Sequence, residues 1–351
     1  MPSAHPNKLR IEFDREKLTL ADGTDARTGL SAAVVSDGHL WLACDEGCRL
    51  DRFDVQRAGL RCNHHTTFDL VDLLKLPADP DEEADIEGMD VDEGWLWFVG
   101  SHSVQRKKAK TSESPTNVAR RLAETGRDGN RHLLARVPLV GSTPKTADGK
   151  RRAGALRATT TSSDLLDAIV EHDDVHLAPF VDIPGKDNGF DIEGLAVRGM
   201  NVFAGLRGPV LRGWCCVLEL ALESDFKGRL EMTGTNKRIP YRKHFLNLGG
   251  LGARDLMWYG DDLLILAGPS MTHDGPTEIW RWKNVKSTRA TSGADVKRLM
   301  VVPHGEGTDR AEAISSFEGA GAPSVLVVFD HPGKHRLVAP ASVHADIFRL
   351  P

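Results

Sequence analysis

The 351-residue chain is 40% hydrophobic and 27% charged, ordinary proportions for a folded protein able to bury a large core. A formal charge of −5 argues against the broad basic face of a nucleic-acid binder, so nucleic acid is not an expected partner. No run of about 18 apolar residues occurs, and residues 1–13 lack the apolar core of a leader, so the expectation is a soluble, cytoplasmic protein without membrane contact.

In chain order, LRIEF from Leu9 reads as a lone strand. LSAAVVSDGHLWLACDEG from Leu30 then reads as a hairpin, two apolar strands about an Asp-Gly turn. The same form returns as IEGMDVDEGWLWFVGSHS from Ile86, IEGLAVRGMNVFAGLRGP from Ile192, ARDLMWYGDDLLILAGPS from Ala253 and AEAISSFEGAGAPSVLVVFDHPG from Ala311. Amphipathic third strands follow each hairpin, beginning at Cys48, His132, Trp214, Glu278 and Asp346. Fourth strands follow in four units: HTTFDLVDLL from His65, VHLAPFVDI from Val175, RKHFLNL from Arg242 and KRLMVVP from Lys297. The last unit runs out of chain, and LRIEF is the candidate for its missing outer strand.

Repeats of this length, each with four strands, predict an all-β fold: one five-bladed β-propeller spanning residues 1–351 and closed by its N-terminal strand. The long step between the second and third hairpins makes six blades the alternative. We assign that excess to two polar insertions, 104–130 and 141–174. Helical stretches are expected from Thr116 to Thr125 and from Ser162 to Glu171.

In a propeller the innermost strand of each blade lines a channel, and one mouth collects its starts together with the ends of the second strands. That rule gathers Ser31, Asp85, Glu87, Asp191, Glu193, Arg254, Asp255 and Glu312 with Asp45, Ser101, His102, Arg207, Asp330 and His331. Three glutamates at equivalent positions repel one another unless a cation or an arginine compensates them. Glu87, Glu193 and Glu312 are therefore candidate ligands of a hard divalent cation, Ca²⁺ or Mg²⁺, with Arg207 and Arg254 as the competing neutralisers. His102 is the candidate for proton transfer. The first insertion is basic, with Arg106, Lys107, Lys108, Lys110, Arg120, Arg121, Arg127 and Arg131, and reads as a flap over this mouth suited to an anionic ligand. A second, weaker metal candidate combines Cys44 and Cys48 with His64 and His65. The odd count of five cysteines, with Cys215-Cys216 in an apolar run, otherwise points to reduced thiols.

DIEGMDVDEGWLWFVGSHS from Asp85 and DIEGLAVRGMNVFAGLRGP from Asp191 resemble the bacterial DUF3616 family over most of the chain. The D-I-E-G segments are also similar, more loosely, to phytase-like, esterase-like and lactonase-like propellers. That similarity implies a central cation near Glu87 and Glu193, while Arg254 departs from the acidic pattern. Together these readings favour a metal-assisted hydrolase acting on a small anionic ester, phosphoester or lactone. The alternative is a propeller that binds a protein or small ligand without turnover.

Overall fold

The structure, a computed structural model, describes residues 6–56, 60–234, 240–285, 295–318 and 323–351. It is mostly β, in antiparallel sheets set around a central ring as in a propeller. Each sheet starts from a hairpin whose turn is written in the sequence. Asp37-Gly38 joins Leu30–Ser36 to His39–Cys44, and Glu93-Gly94 joins Ile86–Asp92 to Trp95–Gly100. These turn residues have φ of 48°, 79°, 47° and 74°, the left-handed pair that a tight two-residue hairpin turn requires. Asp191–Arg198 with Asn201–Gly208, Gly252–Tyr259 with Asp262–Gly268, and Arg310–Phe317 with Ser324–Asp330 repeat the arrangement.

The innermost strands are stitched to one another by short side chains. Ser31 Oγ donates to Ile86 O at 2.6 Å, Asp90 Oδ2 accepts from Val197 N at 2.7 Å, and Ser315 Oγ accepts from Val35 N at 2.8 Å. Asp255 joins two gaps: Oδ2 accepts from Ile314 N at 2.7 Å, and the same carboxylate receives a backbone bond from Leu195. Each bond satisfies a main-chain group that faces a neighbouring sheet rather than its own ladder.

Outer strands complete the sheets. Arg49–Gln56 and Arg61–Asp69, Trp214–Ser224 and Tyr241–Asn247, and Thr277–Trp282 and Val296–Val302 follow three of the hairpins in order. Asn7–Glu12 pairs antiparallel with Ser342–Arg349 and touches Arg61–Asp69 in parallel at Arg10 and Ile11. The first and last hairpins thereby share one nine-stranded sheet.

The second sheet departs from the expected pattern. The run from Val175 is not a strand: it is turns with a 3-10 helix at Ala178–Phe180. Pro179 has no N–H for a ladder. Asp174, just before the run, is held by Tyr241 Oη at 2.7 Å and Lys243 Nζ at 2.6 Å, which fixes the chain across the third sheet. Short pairings of Thr143–Pro144 and Gly154–Ala155 on Leu134–Val140 take the outer place instead.

The core is divided into apolar layers between successive sheets, with Trp41, Trp97 and Trp282 fully buried. The two helices differ in their relation to it. In Asp164–Glu171 (α2), Ser163 caps the N-terminus by accepting from Leu166 N at 3.3 Å, and Leu165, Leu166 and Ile169 enter the layer between the second and third sheets. Pro115–Ala123 (α1) buries no residue. Among the described residues, no helix is long and apolar enough to cross a membrane.

Candidate functional site

Every inner hairpin carries a register break near its first residues: between Leu30 and Ala32, Ile86 and Gly88, Ile192 and Gly194, Ala253 and Asp255, and Ala311 and Ala313. The residues skipped are Ser31, Glu87, Glu193, Arg254 and Glu312. A β-bulge leaves its extra residue outside the ladder and turns its side chain away from the sheet face. Here all five line one cavity of about 320 Å³ at a channel mouth. The glycine after the bulge lets the neighbouring inner strand come close. A Cβ on Gly88 would stand 2.7 Å from Leu195 Cβ and 2.8 Å from Leu195 N.

The charges at this floor are unevenly paired. Arg207 is ion-paired with Glu193 and lies 3.7 Å from Asp191, while its Nε donates to Ser270 O at 3.1 Å. Arg254 is ion-paired with Glu312, stands 3.3 Å from Glu193 Oε2 and donates to Pro269 O at 3.1 Å. Both arginines are buried and fixed by carbonyls as well as carboxylates. Arg131, on the other side, pairs with Asp85, with Glu83 at 2.7 Å and with Asp128 at 3.3 Å.

Glu87 stands apart. Among the described residues its carboxylate has no hydrogen bond and no ion pair. Burial pushes its pKa well above the ordinary carboxylate range, and Asp85, Glu193, Asp45 and Glu312 add to the shift. Asp45 is raised too, by burial and then by Asp85 and Asp330. Asp191 is pushed up to about 8 by burial and by Glu193, against the pull of Arg207.

A family model described as a protein of unknown function, DUF3616, matches residues 29–346. The chain belongs to the DUF3616 family. No curated protein matches it. Glutaminyl cyclase from Myxococcus xanthus is among the similar solved structures, at 11% identity over 97% of this chain and 98% of that one, with a TM-score of 0.39. The PQQ-bound aldose sugar dehydrogenase of Streptomyces coelicolor is 11% identical over 98% and 100%, with a TM-score of 0.36. The Cps50 (Swd1) β-propeller domain of Myceliophteria thermophila is 8% identical over 90% and 83%, with a TM-score of 0.33.

In this DUF3616 chain several candidate residues stand away from the cavity. His102 is fully buried with its ring 5.9 Å from His132, and its Nδ1 lies 2.9 Å from Gly100 O. It does not line the mouth. Burial, His132 and Arg127 push its pKa down to about 3, against the Gly100 bond, so it is a neutral interior group. Ser101 is also buried, with Oγ 3.0 Å from Ser103 Oγ. Asp255 serves the ring rather than the mouth, because it follows the bulge and faces between strands. Asp330 lines the cavity, whereas His331 turns outward and pairs with Asp330 at 2.5 Å.

The three glutamates do not form the expected metal set, because arginines occupy Glu193 and Glu312. Among the described residues, the donor atoms close enough to share one ion are those of Cys44, Asp45 and Glu46, and burial pushes the Cys44 thiol well up, away from the thiolate a metal takes. Nor do Cys44 and Cys48 join His64 and His65. His65 Nε2 is 2.9 Å from Asp51, His64 Nδ1 is 2.8 Å from Asp54, and Cys48 Sγ is 2.9 Å from Glu82 O.

The basic insertion is largely spent on its own neighbours. Five of the seven basic residues within 104–130 are ion-paired, among them Arg106 with Asp187 at 2.6 Å, Lys107 with Glu124 at 2.8 Å and Arg127 with Asp182 at 2.8 Å. Val104, Gln105 and Arg106 reach the cavity, and Arg131 belongs to its floor. The sequence reading missed Lys186 and Arg310, which also line the mouth. Lys186 lies on the connection into Asp191–Arg198 and Arg310 begins Arg310–Phe317, and the rule that gathered the glutamates applies equally to both places.

Proposed function

We propose that this chain is a five-bladed propeller enzyme whose channel mouth carries out acid-assisted hydrolysis of a small ester or lactone, with Glu87 as the proton donor. The observation that carries this reading is the isolation of Glu87: an unpaired carboxyl in a cavity, crowded by other carboxylates, has its pKa pushed up and is suited to pass a proton to a leaving oxygen as water attacks the acyl carbon. Arg207 and Arg254 support the division of roles. They take up the charge of Glu193 and Glu312 as ion pairs, so those groups remain fixed while Glu87 exchanges protons. The cavity has ten carboxylate residues against six arginines and lysines, which turns the substrate class from anionic to neutral or cationic.

The test is turnover of neutral chromogenic esters and lactones by the wild-type chain and by Glu87→Gln, with circular dichroism confirming that both are folded. The expected loss in the variant is about 10²- to 10⁴-fold, the usual worth of a positioned acid. Equal turnover by the variant, or none by the wild type, overturns the reading. Ligand binding without turnover is the second reading, favoured by the tethering of both arginines to main-chain carbonyls, which makes the floor a preformed surface.

A further inference from the structure

The cavity has a polarity beyond its net charge. Three of its arginines are committed: Arg131 spans three carboxylates, while Arg207 and Arg254 are each tied to a carboxylate and a carbonyl. Asp45, Glu46 and Glu87, from the first two sheets, have no arginine or lysine within ion-pair distance among the described residues. The carboxyl groups that lack a counter-ion are therefore gathered on one wall.

A separate observation points to a missing donor. Among the described residues, Glu46 Oε2 and Glu193 Oε2 are both buried without a hydrogen-bond partner, although Arg254 lies 3.3 Å from the latter. Glu193 is only 2% exposed, and both residues line the cavity. A buried acceptor left unpaired costs about 1–3 kcal/mol, and an incoming group with several N–H donors would remove that cost. Lys186 is the nearest internal counterpart. It lines the same cavity and lowers the pKa of both Asp45 and Asp191, yet makes no ion pair among the described residues.

We infer that the mouth recognises a primary ammonium group, seated on the wall formed by Asp45, Glu46 and Glu87 with Glu193 at its floor, so that the ligand is a small amine. The inference rests on the mouth being a small-molecule site and not on turnover. An ammonium fits better than a divalent ion. Ca²⁺ or Mg²⁺ needs several oxygens drawn to roughly 2.0–2.6 Å, whereas Glu193 is already held by Arg207. Three N–H donors reach acceptors at about 2.8 Å and need no such convergence. The size agrees, since a cavity of about 320 Å³ holds a small organic molecule.

The test is calorimetric titration and thermal denaturation of the full chain with n-butylamine, butyrate, n-butanol, CaCl₂ and MgCl₂ at constant ionic strength. The expected result is that n-butylamine binds and raises the melting temperature, while butyrate and n-butanol do not. Glu87→Gln should weaken the amine about tenfold or more, the worth of a charge-assisted hydrogen bond. Lys186→Met should tighten it by removing the competing cation. Affinity should rise with pH as Glu87 and Asp45 give up their protons. Preferential binding of butyrate, stabilisation by CaCl₂ or MgCl₂ that n-butylamine cannot displace, or an unchanged affinity in Glu87→Gln would overturn the proposal. Amine binding by a chain that hydrolyses nothing removes the catalytic reading alone; Glu87-dependent hydrolysis without amine binding removes this one alone.

Discussion

Replacing Arg254 with methionine leaves Glu312 buried without its counter-ion and withdraws one of the two arginines beside Glu193. A similar volume is kept, so the perturbation is chiefly electrostatic. The folded chain need not keep the naked charge, because Glu312 can take up a proton. The cost is then capped by that protonation, about 1.4 kcal/mol for each pH unit above the unfolded glutamate value of about 4.3. Arg254→Met should therefore lose up to about 4 kcal/mol relative to wild type at pH 7 and no more than about 1 kcal/mol at pH 5. The sign follows from the raised folded pKa: the folded variant holds a proton that the unfolded chain releases above pH ~4.3, so its deficit grows as pH rises. Urea denaturation of both proteins at the two pH values reads the difference directly. A deficit that is the same at pH 5 and pH 7 would refute the argument, since a packing defect has no proton to exchange.

Three other outcomes are expected. Gly88→Ala should destabilise the chain by about 1–3 kcal/mol in chemical denaturation, because the added Cβ meets the backbone nitrogen and Cβ of Leu195 in the adjoining inner strand. Acid should weaken the fold through His102, which stays neutral when folded down to about pH 3. Unfolded chains take up that proton below pH ~6.5, so stability is lost as pH falls, by about 2 kcal/mol at pH 5, and His102→Asn should flatten that slope in denaturant titrations between pH 7 and pH 5. Burial raises Cys48 to about 11 and Cys62 and Cys215 to about 12, so a thiol reagent at pH 8 should label these cysteines slowly in the native chain and all five after denaturation.

The hairpins were legible because their signals are local: an Asp-Gly or Glu-Gly turn between apolar runs determines both strands and their register. Closure by the strand at Leu9 was also readable, since an amphipathic run at one end met a missing outer strand at the other. Non-local partners were not readable. Nothing near Val175 announces that Asp174 is bound by Tyr241 and Lys243 from a strand more than sixty residues away, yet that bond helps keep the run out of a sheet. The ion pairs of the basic insertion were no more readable, because a count of arginines does not say where their carboxylates lie. Asp255 and His102 failed for a geometric reason. Asp255 sits one residue from Arg254, and in extended chain one residue is the difference between facing the channel and facing the neighbouring sheet, while His102 lies just past the end of its strand at a left-handed φ of 56°.

The bulges have an evolutionary meaning. A residue in the ladder is answerable to its cross-strand partners and to the apolar layer beneath it, but the bulged residue has neither obligation. Serine, glutamate and arginine all occupy that position here on otherwise equivalent strands. The ring thus works as a set of sockets held open by the main chain. Its floor can be rewired where an acid and its arginine change together, so that relatives sharing this architecture are free to differ in what their mouths accept.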